Sequence, residues 1–89
     1  MNPKHLRPGD ELHAARLADV LPDVIDSRPS EAENVVRVLW AVNTELSRRQ
    51  LATVPLGAMV RILRAAGWTV RKTVHDGRRG TYVLGLALA

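Results

Sequence analysis

The amino-acid sequence predicts an α+β domain in which three helices are followed by a C-terminal two-stranded antiparallel hairpin. Apolar residues with helical spacing predict the two longer helices, at about 31–47 and 55–66. Two segments rich in β-branched and apolar residues flank Asp76-Gly77, which is typical of a hairpin turn because glycine accepts a positive φ. At 89 residues the chain is too short for two cores, so we expect one compact domain: an N-terminal segment over 1–29 and a module over 30–89.

The N-terminal segment is predicted to contain a short helix at about 11–21. Its apolar residues recur at i, i+3, i+4 and i+7: Ala14, Leu17, Ala18 and Leu21. Asp10 is a suitable N-cap residue, because its carboxylate can accept a free backbone N–H at the helix start. Pro22 cannot donate a helical hydrogen bond, so we expect the helix to end there and residues 23–29 to be a connector.

The second helix is predicted from a capping box followed at once by an apolar stripe. Ser30 and Glu33 have the spacing at which each side chain bonds the backbone N–H of the other. The stripe comprises Val35, Leu39, Val42 and Leu46, with Val36 and Trp40 beside it.

The third helix is predicted to begin with Pro55 at its first position, where the missing N–H costs nothing. Met59, Ile62, Leu63 and Ala66 share one face of it. Gly67 fits the left-handed residue that ends a helix in a Schellman motif, and Trp68 would then pack back on Leu63.

The hairpin, at about 68–88, is predicted to turn through a three-residue loop centred on Gly77. In that register Lys72 lies opposite Tyr82 and Val70 opposite Leu84. One face then collects the apolar side chains of Trp68, Val70, Val74, Tyr82, Leu84 and Leu86. A shift by one residue would instead place Arg71 among the leucines, which is costly if that charge is buried.

Charge is distributed unevenly along the chain. Residues 1–29 carry a net charge of −1, whereas residues 46–89 carry eight positive groups against Asp76 alone, a net +7. A basic half of this kind favours a polyanionic partner. The alternative is an arginine-rich surface that serves solubility only.

Several classes of protein are disfavoured. The chain has no cysteine and no apolar segment of signal or membrane-spanning length, so we expect a cytoplasmic protein without membrane association. His5, His13 and His75 fall on separate elements and match no zinc spacing. We therefore expect no catalytic residues, no metal and no cofactor, and classify the protein as a non-enzyme.

The segment from Val38 to Leu88 resembles the C-terminal winged-helix segment of phage and plasmid primase-helicases. The resemblance is carried by residues 56–68, by Arg71-Lys72 and by the turn over 76–82. It implies a winged-helix fold in which one helix and the hairpin, or wing, contact nucleic acid. The nucleotide-binding G-x-x-x-x-G-K-[ST] sequence of those larger proteins does not occur here.

The sequence thus favours a small non-enzymatic nucleic-acid-binding protein, a DNA-binding regulator or replication accessory protein of phage type. We expect it to contact the phosphates of double-stranded DNA through five arginines: Arg61, Arg64, Arg71, Arg78 and Arg79. The alternative is a protein-interaction module that docks on a host factor or homodimerises. Its surfaces would be the apolar helix at 55–66 and a C-terminal edge strand at 83–89.

Overall fold

The computed structural model describes residues 6–89, and these form three helices and one antiparallel sheet. The elements follow the order α1 (Asp10–Val24), β1 (Ile25–Asn34), α2 (Val35–Arg48), α3 (Leu56–Ala65), β2 (Val70–His75) and β3 (Arg78–Leu88). The α+β class is confirmed. The expected order, three helices and then two strands, is wrong, because β1 lies between the first two helices and joins the hairpin in a sheet of order β1-β3-β2.

The core lies between the three helices and one face of the sheet. Each helix contributes the residues of its buried stripe, such as Leu17 and Val20 from α1 and Val42 and Leu46 from α2. The sheet contributes Ile25, Val70, Val83 and Leu86, all of them buried. These aliphatic side chains pack into one cluster that connects all six elements.

Helix α1 is longer than expected, because it continues past Pro22 to Val24. The backbone N–H of Ile25 still donates to the carbonyl of Leu21, so the last turn remains closed despite the proline. Val24 and Ile25 then pack on the core, which favours the added turn. At the other end Gly9 is the N-cap residue, and Asp10, expected there, is the first residue of the helix.

The expected connector and capping box are wrong, because residues 25–34 form β1 along β3. Ile25 lies opposite Leu88 and Asn34 opposite Tyr82, with residues 28–31 looping out between two paired stretches. This bulge accommodates Pro29, which could not donate a sheet hydrogen bond.

Helix α2 consequently begins at Val35 rather than at 31. Asn34 is its N-cap, and the Asn34 side-chain oxygen accepts the backbone N–H of Val36 at 2.8 Å. The Glu33 carboxylate accepts the N–H of Asn34 instead of reaching back to Ser30.

The end of α3 agrees with the sequence. The helix spans Leu56–Ala65; the expectation for Pro55 is wrong, because its extended backbone makes it the N-cap residue and Leu56 the first helical position. Gly67 has a φ of 101°, and the N–H groups of Gly67 and Trp68 donate to the carbonyls of Arg64 and Leu63. These are the two hydrogen bonds of a Schellman motif, and Trp68 is packed against the core cluster to which Leu63 belongs.

The hairpin register differs by one residue from the expected one. Its loop contains two residues, Asp76 and Gly77, both with positive φ, as in a type I′ turn. Val70 therefore lies opposite Val83, and Arg71 opposite Tyr82. Arg71 nevertheless stays exposed, because its face of the sheet points away from the helices.

The register also corrects which apolar residues lie inside. Val83, expected on the outer face, is fully buried, whereas Val74 is largely exposed. Gly85, with a φ of 83°, interrupts the alternation of β3, so that both Val83 and Leu86 face the core. A C-terminal edge strand is also wrong, since β3 is the central strand of the sheet.

Candidate nucleic-acid interface

Four cationic side chains lie on the hairpin, and its register divides them between two faces. Lys72 and Arg79 share the face of Val70 and Val83, which is the helix side of the sheet. Arg71 and Arg78 lie on the outer face. All four are exposed, because the hairpin extends beyond the helices that cover its base.

The hairpin cations have few acidic neighbours. Within residues 6–89 no ion pair or side-chain hydrogen bond engages Lys72, Arg79, Arg71 or the guanidinium of Arg78. Asp76 at the turn is paired with His75, at 3.5 Å. None of these four charges is therefore cancelled by a direct contact with a carboxylate of the described residues, although the exposed Asp76 lies in the same turn.

Arg64 joins the helix side of this surface. It lies in the last turn of α3, and its Nη2 and Nε donate to the carbonyl of Val70, at 2.8 and 3.3 Å. A carbonyl carries no net charge, so the contact positions the guanidinium at the base of β2 and leaves its charge unneutralised. We define Arg64, Lys72 and Arg79 as the helix-side cluster.

Arg61 is held elsewhere. Its Nε and Nη2 donate to the two carboxylate oxygens of Asp10, at 2.8 and 3.0 Å. Asp10 is only 3% exposed, and it also accepts the backbone N–H of Arg7. The hydrogen bond from Arg61, with that from Arg7, lowers the pKa of the Asp10 carboxyl to about 2. This bidentate ion pair connects the start of α1 to α3.

Most other arginines of the helical part are also paired with carboxylates. Arg48 donates through Nε to both oxygens of Glu45, at 2.8 and 2.9 Å, and Arg49 pairs with Asp23 and Glu45. These contacts lower the pKa of Glu45, chiefly through the hydrogen bond from Arg48. Of the eight positive groups after Leu46, three thus bind acids from earlier in the chain: Arg48, Arg49 and Arg61.

The outer face of the hairpin has a more mixed character. A groove of about 580 Å³ runs between the start of α2 and the turn, and Arg37, Arg78 and Tyr82 line it. Glu33 and Asp76 line it as well. Two carboxylates in the same groove oppose the approach of phosphate, so the helix-side cluster is the more favourable surface for a polyanion.

The structure thus divides the expected site. Arg79 lies on the helix side of the hairpin, Arg64 at the base of β2, Arg71 and Arg78 on the outer face, and Arg61 in the ion pair with Asp10. Sequence reasoning missed Lys72 as a site residue, although strand alternation from the buried Val70 would have placed it on the helix side.

Two further findings hold for residues 6–89, which the structure describes; His5 lies outside this range. No group of three or more His, Asp or Glu side chains is arranged to hold a metal ion there. None of the helices there combines the length and apolar character needed to cross a membrane.

Comparison of the chain with protein-family models, with curated proteins and with solved structures finds no significant match.

Proposed function

We propose that this protein is a non-enzymatic, winged-helix nucleic-acid-binding protein that grips the phosphates of double-stranded DNA with its hairpin. The observation that carries the proposal is the set of four hairpin cations without an acidic partner, in a domain whose other arginines are mostly paired. Unpaired cations on a projecting hairpin suit the sugar-phosphate backbone, which carries a charge at every nucleotide.

The arrangement of elements supports the winged-helix part of the proposal. A helix, a strand, two helices and a hairpin, with the first strand paired to the last, is the order of a complete winged-helix domain. In such a domain α3 and the hairpin meet nucleic acid together, and Arg64 here joins the end of α3 to the base of β2.

The same geometry favours recognition of the backbone over recognition of bases. Helix α3 has two long polar side chains, Arg61 and Arg64, and the first is bound to Asp10. Few groups on α3 could therefore read base edges in the major groove. We accordingly propose binding that depends weakly on sequence and strongly on salt.

The test is fluorescence anisotropy of a labelled DNA duplex, titrated with the protein at several salt concentrations. We expect the log of the affinity to fall linearly with the log of the salt concentration, with a slope of about 0.9 for each phosphate contact. Replacing all four hairpin cations, Arg71→Gln/Lys72→Gln/Arg78→Gln/Arg79→Gln, should abolish most of the slope and weaken binding by about a hundredfold at low salt.

The matched control is Arg28→Gln/Arg37→Gln/Arg48→Gln/Arg49→Gln, which removes the same charge from ion-paired positions outside the hairpin. It should retain most of the slope. Equal losses in the two variants would mean that net charge alone drives binding. No binding by the unaltered protein at about 10⁻⁴ M and low salt would overturn the proposal, because non-specific DNA binders reach that affinity.

A further inference from the structure

The solvent side of α2 carries a stripe without charge. Val36, Trp40, Thr44 and Ser47 follow one another at spacings of four, four and three, and so lie on one helix face. Trp40 is 70% exposed and Val36 59% exposed. An indole with this exposure is a large solvent-accessible apolar surface for so small a domain.

The stripe has two dissimilar halves. Its N-terminal half carries the large side chains of Val36 and Trp40, and its C-terminal half carries the small side chains of Thr44 and Ser47. Trp40 forms a ridge between two open grooves, of about 530 and 250 Å³, which Thr44 also lines. A second copy of α2 running in the opposite direction would place each large half on the partner's small half.

We propose that the protein forms a twofold-symmetric dimer through this stripe, with the two α2 helices antiparallel and each Trp40 seated in the groove of the other copy. A twofold axis makes the two contacts identical, which a surface with one large and one small half satisfies. A polyanion is a poor occupant for the stripe, because no cation lies within it.

The charged residues beside the stripe do not prevent a second copy from approaching. Arg37 and Arg48 border the stripe on one side, and an antiparallel pair brings them near each other. Each already pairs with a carboxylate of its own chain, Arg37 with Glu33 and Arg48 with Glu45. The second copy therefore meets neutralised pairs.

The surface area that the two stripes can bury indicates a weak dimer. Each Trp40 has roughly 150 Å² left to bury, and both stripes together offer roughly 600–900 Å². Stable interfaces bury about 1,200–2,000 Å², and smaller ones belong to weak complexes. We therefore expect a weak dimer that forms only at high protein concentration.

Sedimentation without nucleic acid, from about 10 µM to 1 mM protein, tests the dimer separately from the DNA proposal. We expect a shift from monomer to dimer over this range. Trp40→Ala should raise the dissociation constant at least tenfold, as truncating a central aromatic residue does. Thr44→Arg, which leaves Trp40 intact, should do the same by filling the small half with a charge.

The control is Leu12→Ala on α1, which removes a side chain of matching exposure, 67%, and should leave the dissociation constant unchanged. Circular dichroism verifies that each variant is folded. A protein that is monomeric at 1 mM, or a dimer that both Trp40→Ala and Thr44→Arg leave intact, would overturn the proposal.

The direction of the helices can be tested by disulfide formation, since the chain has no cysteine of its own. An oxidised mixture of Val36→Cys and Ser47→Cys proteins should yield the mixed disulfide in preference to either homodimer. Preferential formation of the two homodimers would show that the helices run parallel and would contradict the proposed arrangement.

Discussion

Most arginines of the helical part and those of the hairpin have opposite environments; Arg16 and Arg64, which bind no carboxylate within residues 6–89, are the helical exceptions. Arg48, Arg49 and Arg61 each bind a carboxylate from a distant part of the chain or from their own helix. Arg71 and Arg79 extend from the sheet with no such partner among the described residues. The first group uses its charge to hold elements together, and the second leaves its charge available.

The net charge of a segment therefore does not show where its unpaired cations lie. The net +7 of residues 46–89 suggests a uniformly basic half, yet the acids that neutralise it come from residues 10–45. Once those pairs are removed from the count, the remaining positive potential lies on the hairpin and Arg64.

The largest effect is expected for Lys72 and Arg79, the two hairpin cations on the helix side of the sheet. Lys72→Gln/Arg79→Gln should lower the salt slope of duplex binding by about 1.8 and weaken affinity by about tenfold at low salt, because two phosphate contacts are lost. Arg71→Gln/Arg78→Gln removes the same charge from the outer face and is the matched control in the same anisotropy titration. A larger loss of affinity in the control would show that DNA binds the outer groove instead.

Arg61 should respond in the opposite manner. Arg61→Gln leaves the Asp10 carboxylate buried without its partner, so the thermal midpoint should fall clearly, as measured by circular dichroism. The salt slope for duplex binding should stay unchanged at a temperature where the variant is folded. A slope reduced by about 0.9 with an unaltered midpoint would show that Arg61 leaves Asp10 and contacts phosphate.

Acid should release the same contact. The Asp10 carboxyl has its pKa lowered from 3.8 to about 2 by the bond from Arg61, so the unfolded chain takes up a proton before the folded one does. The stabilisation is therefore complete above about pH 4 and declines as the pH falls from 4 toward 2. Urea titrations across this range should show a smaller decline for Asp10→Asn than for the unaltered protein. Equal declines would mean that Asp10 does not contribute.

Local rules predicted that three helices and a hairpin turn at Asp76-Gly77 exist, but they misplaced the end of α1, the start of α2 and the length of the turn. Gly67 was placed at the end of α3 because only a residue tolerant of positive φ completes a Schellman motif, and both bonds of that motif are present. The same motif ends α2 at Gln50, with a φ of 60°, where no glycine signals it. A helix end of this type can be predicted from the sequence where a glycine signals the positive φ, but not where a residue such as Gln50 adopts it.

Strand β1 could not be predicted, because its cause lies far along the chain. Residues 25–34 are mostly polar, with only Ile25 buried, and their backbone is held by pairing with β3. No alternation marks such a strand, and Ser30 and Glu33 offered a competing helix start. The partner strand, rather than local propensity, decides the structure there.

The candidate site was predicted in part for a related reason. The residue types of the hairpin identified Arg71, Arg78 and Arg79 as exposed cations. The division between faces required the register, which the two-residue turn shifts by one position from expectation. The pairing of Arg61 required the position of Asp10, fifty-one residues away in sequence.

The smallest effect concerns a glycine inside α3. Gly57 lies one turn before Arg61, whose side chain runs back over it toward Asp10, and a Cβ added at Gly57 would lie 3.2 Å from the Arg61 Nη1. Alanine stabilises a helix interior by about 1 kcal/mol relative to glycine, and Gly57, in the first turn of α3, should gain part of this. Here we expect Gly57→Ala to yield much less, because the methyl group crowds a guanidinium that two hydrogen bonds hold in place.

A double-mutant cycle isolates this contact. In the Arg61→Gln background the same Gly57→Ala change should stabilise the protein more in urea unfolding than it does in the unaltered protein, since the obstructing guanidinium is gone. The Asp10 pKa, followed by NMR, should rise from about 2 in Gly57→Ala as the pair is displaced. Equal gains in both backgrounds would show that Arg61 moves aside at no cost, and that its bond to Asp10 is looser than its geometry indicates.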